Sequence, residues 1–101
     1  MRLRYPIEVY GQPITEITLR RHDLRMGDLR ALQAYARRAG LGSDIGELIE
    51  SGDLGAMMVL AERWYGLPEG TADLMHPDDF AAAMQEITPF LAASPTAPTG
   101  S

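Results

Sequence analysis

A few groups of side chains in this chain have the types that chemistry uses. His22, Asp23 and Asp28 could form a base and its orienting carboxylates. No nucleophile stands near them, and a helix cap at the junction of strand and helix is the plainer account. His76-Pro77-Asp78-Asp79 offers three possible metal ligands. They lack the i, i+4 spacing that sets two ligands on one helix face, whereas Pro followed by two acids is a good helix start. Gly40-Leu41-Gly42-Ser43 has the look of a phosphate-cradling loop. The next glycine, Gly46, falls one residue late for the GxGxxG pattern, the stretch follows a helix, and the chain has no Lys for a Walker-type loop. Cysteine is absent, so disulfides, zinc-thiolate sites and thiol catalysis are excluded.

Residue types suited to binding are easier to find. Met57 and Met58 are adjacent on a helix, so only one can face the centre of a core. The other lies at the margin, where it could join an adaptable surface of the kind that flexible Met side chains make, core filling being the plainer account. Trp64 and Tyr65 are either interface anchors or packing at the end of that helix. Arg20, Arg21, Arg25 and Arg30 gather around the strand-to-helix junction. A nucleic-acid role would need this patch together with a reading element, and neither a helix-turn-helix nor an aromatic sheet platform is evident. A solvated or partner-facing patch is the plainer account.

The elements that must position these residues follow from periodicity. Leu3, Tyr5, Ile7 and Val9 alternate with polar residues and Pro6, as in a half-buried edge strand. Tyr10-Gly11-Gln12-Pro13 supplies turn chemistry, and Ile14 to Arg21 reads as the returning strand. A register with Val9 opposite Thr15, Ile7 opposite Ile17 and Tyr5 opposite Leu19 lines one apolar face and needs a three-residue loop. A lone hairpin is marginal, so a helix must cover that face.

Asp28 to Ala39 carries Leu29, Leu32, Ala36 and Ala39 at helical spacing, with Gly40 as its stop and Asp23 or a neighbour as its start. Ser43 is positioned to cap a short turn containing Ile45, Leu48 and Ile49. A second main helix spans about Asp53 to Tyr65 and ends at Gly66. A third opens at Pro77 with a stripe of Phe80, Ala83, Met84, Ile87 and Leu91, and Pro89 should kink or fray its end. Glu69 to Met75 is a turn between them. The fold class is therefore α+β: an N-terminal two-stranded antiparallel β-hairpin packed on a small bundle of about three main α-helices. The most buried residues should include Ile7, Ile17, Leu19, Leu29, Leu32, Leu60, Phe80, Met84 and Ile87.

The 101 residues allow one domain, read as residues 1–93, with 94–101 (SPTAPTGS) as a disordered tail that can be deleted without loss of stability. At 46% hydrophobic and 23% charged, the chain has the composition of a folded domain, which rules out disorder over its whole length. The start, MRLRYPIEVY, lacks the apolar stretch of a secretory signal, and no run is long enough for a membrane span. The expected compartment is the cytoplasm. The net charge of −5 hides an asymmetry. Residues 1–40 hold eight Arg against four acids, while residues 41–101 hold one Arg against ten acids. Such a dipolar chain could self-associate head to tail or meet a charged partner; mutual neutralisation on folding is the plainer account.

The order of pieces resembles the tail assembly chaperones of Mu-like and related contractile-tailed phages. An apolar strand and turn precede Ile14-Thr15-Glu16-Ile17-Thr18-Leu19-Arg20-Arg21 and then Gly27-Asp28-Leu29-Arg30. Leu60 to Pro68 is similar to that family's helix followed by Gly-Leu, Asp79-Phe80 to the start of its last helix, and Phe90-Leu91 to its closing Phe-Leu. The resemblance implies a non-enzymatic phage or prophage protein, without cofactor, in the bacterial host cytoplasm. It implies binding of the aggregation-prone tape measure protein before the tail tube forms, and absence from the finished tail. It also implies a link to the tail tube protein through a longer frameshift product sharing this N-terminal domain. In such a role Met57, Met58, Trp64 and Tyr65, or the Arg cluster, would meet the partner. Two other classes stay open: a small phage-encoded regulator binding nucleic acid through the Arg-rich half, which would show steep salt dependence, and an enzyme of unknown chemistry, for which these residues supply no constellation.

Overall fold

The computed structural model describes residues 1–21, 23–41 and 44–92. The chain runs β1 (Arg2–Val9), β2 (Gln12–Glu16), α1 (Met26–Ala39), α2 (Ile45–Ser51), α3 (Leu54–Tyr65), α4 (Thr71–Leu74) and α5 (Pro77–Ala92). The expected α+β architecture is present: one antiparallel hairpin and three main helices, α1, α3 and α5, with two short helical connectors. His22, Ser43 and the segment 94–101 lie outside the described residues.

The hairpin register differs from the expected one. Ile7 pairs with Ile14, Glu8 with Pro13 and Val9 with Gln12, so the loop is the two residues Tyr10-Gly11. Both have positive φ, 52° and 75°, as a type I′ turn requires. That turn follows the right-handed twist of the strands, which a three-residue loop need not do. Farther out, the ladder shifts between Arg2 and Ile7. Pro6 donates no hydrogen bond there, and the Arg4 and Tyr5 amides turn away to Asp79 on α5. β2 ends at Glu16, and Ile17 exchanges both backbone hydrogen bonds with Met1 rather than facing Ile7.

α3 is the central helix. On one side Trp64, Tyr65 and Ala61 meet Leu3 and Ile17 from the hairpin segment and Ala83 and Ile87 of α5. On the other side Ala56, Met57 and Leu60 meet Leu32 of α1. Leu24, Phe80, Met84 and Leu91 touch both cores and join them. Of the residues expected to be most buried, Ile17, Leu32, Leu60 and Ile87 are buried, whereas Ile7, Leu19, Leu29, Phe80 and Met84 are half-buried.

The helix boundaries follow local chemistry. α1 opens at Arg25, later than Asp23, because Asp28 in its first turn reaches back to the Arg25 amide at 3.0 Å. Gly40 closes α1 in the left-handed conformation. α2 is capped by Asp44, whose carboxylate accepts from the Glu47 amide at 3.1 Å. Asp53 caps α3 in the same way through the Ala56 amide. Pro89 lies inside α5, which runs on to Ala92, because Leu91 beyond it is held by both cores.

Candidate partner-binding site

The polar residues singled out in the sequence are used by the fold itself. Asp28 is fully buried. It accepts from both Arg21 terminal nitrogens at 2.8 and 2.6 Å, from Arg63 Nε at 2.6 Å, from Trp64 Nε1 at 3.2 Å and from the Arg25 amide. Burial alone would raise the pKa of this carboxyl, but the hydrogen bonds from Arg21, Arg63, the Arg25 amide and Trp64 outweigh it and hold the group well below the ordinary carboxylate range. Gly27 gives Arg63 its path, since a Cβ there would come within 2.7 Å of Arg63 Nη2. The Gly27-Asp28 pair is thus a device for tying α1, α3 and the link after β2 together.

His76-Pro77-Asp78-Asp79 serves as a helix start. His76 Nδ1 accepts from the Asp78 amide at 3.1 Å, and its ring stacks on Tyr5 with centroids 3.8 Å apart. Asp79 is buried and accepts from the amides of Arg4 and Tyr5 at 2.9 and 3.0 Å, clamping β1 to α5. Among the described residues, no three His, Asp or Glu side chains gather as a metal site requires. Glu62 accepts from the Gly70 and Ala72 amides at 2.9 Å and so holds α4. Its burial raises its pKa despite those hydrogen bonds.

The binding candidates separate by position. Trp64 and Tyr65 are core residues. The Tyr65 hydroxyl donates to Glu86, and burial followed by that carboxylate pushes its pKa up. Met57 is buried and Met58 half-buried, the division their adjacency demands. Of the Arg cluster, Arg21 is bound to Asp28 and Arg25 pairs with Asp23 at 3.2 Å, while Arg20 and Arg30 are exposed. The patch is therefore partly neutralised at its centre.

What the sequence did not reveal is a groove of about 960 Å³ between α1, α2, α3 and α5. Leu24, Leu29, Ile45, Ile49, Met57 and Met84 are among the residues that line it. This explains why Leu29, Phe80 and Met84 are only half-buried: each faces the groove. A trace was present in the sequence, in the apolar Ile45 and Ile49 of a short connector, both of which line the groove. Beside it, Met58, Leu54, Phe80, Met75 and Ala72 line a smaller hollow of about 400 Å³.

These features define a small α+β domain with an apolar concavity and with its buried acids tied into its own fold. A family model described as phage tail assembly chaperone proteins, E, or 41 or 14, matches residues 1–92. The chain belongs to this phage tail assembly chaperone family, which is non-enzymatic. No curated protein and no solved structure gives a significant match. Among the described residues, no helix is long and apolar enough to cross a membrane.

Proposed function

We propose that this chain holds the tape measure protein of its phage in soluble form during tail assembly, in the host cytoplasm, and leaves before the tail is complete. The supporting observation is the apolar groove between α1, α2, α3 and α5 in a member of a tail assembly chaperone family. A holdase needs an adaptable apolar surface on a soluble, charged body. Met57 lies in the groove wall and Met58 in the adjoining hollow, so the two Met side chains can adapt to a partner's shape from both sides. A longer product sharing this domain would carry the same groove to the tail tube protein.

The test is co-expression with the tape measure protein, followed by pull-down and measurement of soluble yield. Met58→Asp should reduce co-purification while leaving the fold intact. Trp64 and Tyr65 are inside the core, so their substitution should reduce binding only through unfolding. If the Arg cluster did the binding instead, Arg20→Glu and Arg30→Glu would be the sensitive changes and Met58→Asp would have no effect. A tape measure protein that stays equally insoluble with and without this chain would overturn the proposal.

A further inference from the structure

We propose that the groove and the neighbouring hollow form one continuous track, and that its occupant is an amphipathic helix with a basic polar face. This deepens the holdase reading by giving the chemistry of the bound segment, and it rests on that reading only for the name of the protein that supplies it. The two concavities share Leu54 and Phe80. Leu54 is 65% exposed at the start of α3, an apolar side chain standing on the divide between them. A surface of that kind on a small domain marks a place where another apolar surface is received.

The walls decide the conformation of the guest. Every element lining the track is helical apart from the turns between, and among the described residues no strand edge borders it. An extended peptide would leave its backbone N–H and C=O groups without partners against such walls. A helix satisfies its own backbone and can present apolar side chains alone.

Charge decides the polar face. The ionisable residues in the lining are Glu50 in the larger groove and Asp73 in the smaller hollow, both acidic. From Asp44 to Ala92 the chain carries ten acids and a single Arg. That one, Arg63, is occupied by Asp28. The helices α2 to α5 therefore offer a guest no free guanidinium, and an acidic helix face would meet repulsion along the walls they form, which leaves exposed Arg30 on the α1 wall as the opposing charge. A second copy of the chain is disfavoured as a guest through its acidic half for the same reason.

The proposal is tested with fluorescence anisotropy on the full chain. The probes are labelled helical peptides with one leucine stripe and either a Lys-rich or a Glu-rich polar face. The Lys-rich peptide should bind on the order of tenfold more tightly at low salt, a difference that shrinks as salt is added. Leu54→Asp should weaken it by about tenfold or more with an unchanged melting curve. Glu50→Lys and Asp73→Lys should each weaken it, since the two lie on different stretches of one track. Equal binding of the two peptides, equal binding of a Lys-rich peptide with a scrambled stripe, or indifference to Asp73→Lys would overturn the proposal. A Leu54-dependent dimer in sedimentation without peptide would also overturn it, by naming a second copy as the occupant. If the tape measure protein co-purifies yet ignores Leu54→Asp and both charge reversals, the track is wrong and the holdase reading stands. If the peptides bind as expected but the tape measure protein is never held, the track stands and the holdase reading is wrong.

Discussion

The indole Nε1 of Trp64 donates a hydrogen bond to Asp28 Oδ2 at 3.2 Å, and both residues are fully buried although 36 positions apart in the chain. Each side chain accounts for the other's place. An indole N–H in a core needs an acceptor, and a buried carboxylate needs donors. Arg21 and Arg63 complete the set from the two sides that still reach solvent.

Replacing Asp28 by Ala should therefore be among the most destabilising single changes. It leaves two guanidinium groups, an indole and the Arg25 amide without their shared acceptor. The expected cost is about 3 kcal/mol, because breaking a buried ion pair strands its partners, and Arg21 and Arg63 keep part of their hydration. Urea denaturation of the variant against the parent measures it.

The same carboxylate sets a pH dependence. Its folded pKa lies far below its unfolded value, about 3.9 for an ordinary Asp, so its ionised form stabilises the fold at neutral pH. As the pH drops below that value, the unfolded chain takes up the proton first and the contribution declines, to vanish only once the folded carboxyl is protonated as well. Asp28→Asn should be less stable than the parent at neutral pH and should lose less stability between about pH 5 and about pH 2. Parallel acid limbs for the two proteins would contradict this.

Asp78 and Asp79 are neighbours with unlike roles. Asp79→Ala removes the acceptor for two β1 amides and should cost about 2–3 kcal/mol, with faster hydrogen exchange at Arg4 and Tyr5. Asp78 is exposed, and Asp78→Ala should stay within about 0.5 kcal/mol of the parent.

Gly55 lies under the ring of Tyr35, which a Cβ would strike. Tyr35 donates from its hydroxyl to the α3 cap Asp53 at 2.6 Å, so displacing the ring also disturbs that cap. Gly55→Ala should destabilise by about 1 kcal/mol despite its better helix propensity. In a Tyr35→Ala background the same change should stabilise by about 0.5–1 kcal/mol. A double-mutant cycle that shows no coupling would refute the steric account.

Tyr10 holds φ 52° at the tip of the hairpin and is 84% exposed. Its side chain contributes little there, while its backbone sits where Asn is more at ease. Tyr10→Asn should raise stability by about 1 kcal/mol, read as a higher melting temperature.

Much of this protein was written in local patterns. Alternation from Leu3 to Val9 and the 3.6-residue stripes of α1, α3 and α5 identified a hairpin and three main helices, because burial on one face imposes a period that no other structure shares. Gly40 and Gly66 ended helices where they were expected to. The order of short motifs carried the family. The register was harder to read, since Tyr10-Gly11 is a less common pair for a type I′ turn and the irregularity around Pro6 depends on Asp79, more than seventy residues away. Asp28 read as a cap, which it is for the Arg25 amide, or as an orienting carboxylate; its donors Arg21 and Arg63 come from the link after β2 and from α3, and only packing brings them to it. The groove exists in no single segment: Leu29 and Met84 read as core, Ile49 as part of a connector and Met57 as core or partner surface, and only the spacing of four helices leaves a gap among them. Local pattern determines which face of an element is apolar; tertiary packing decides how much of that face is covered.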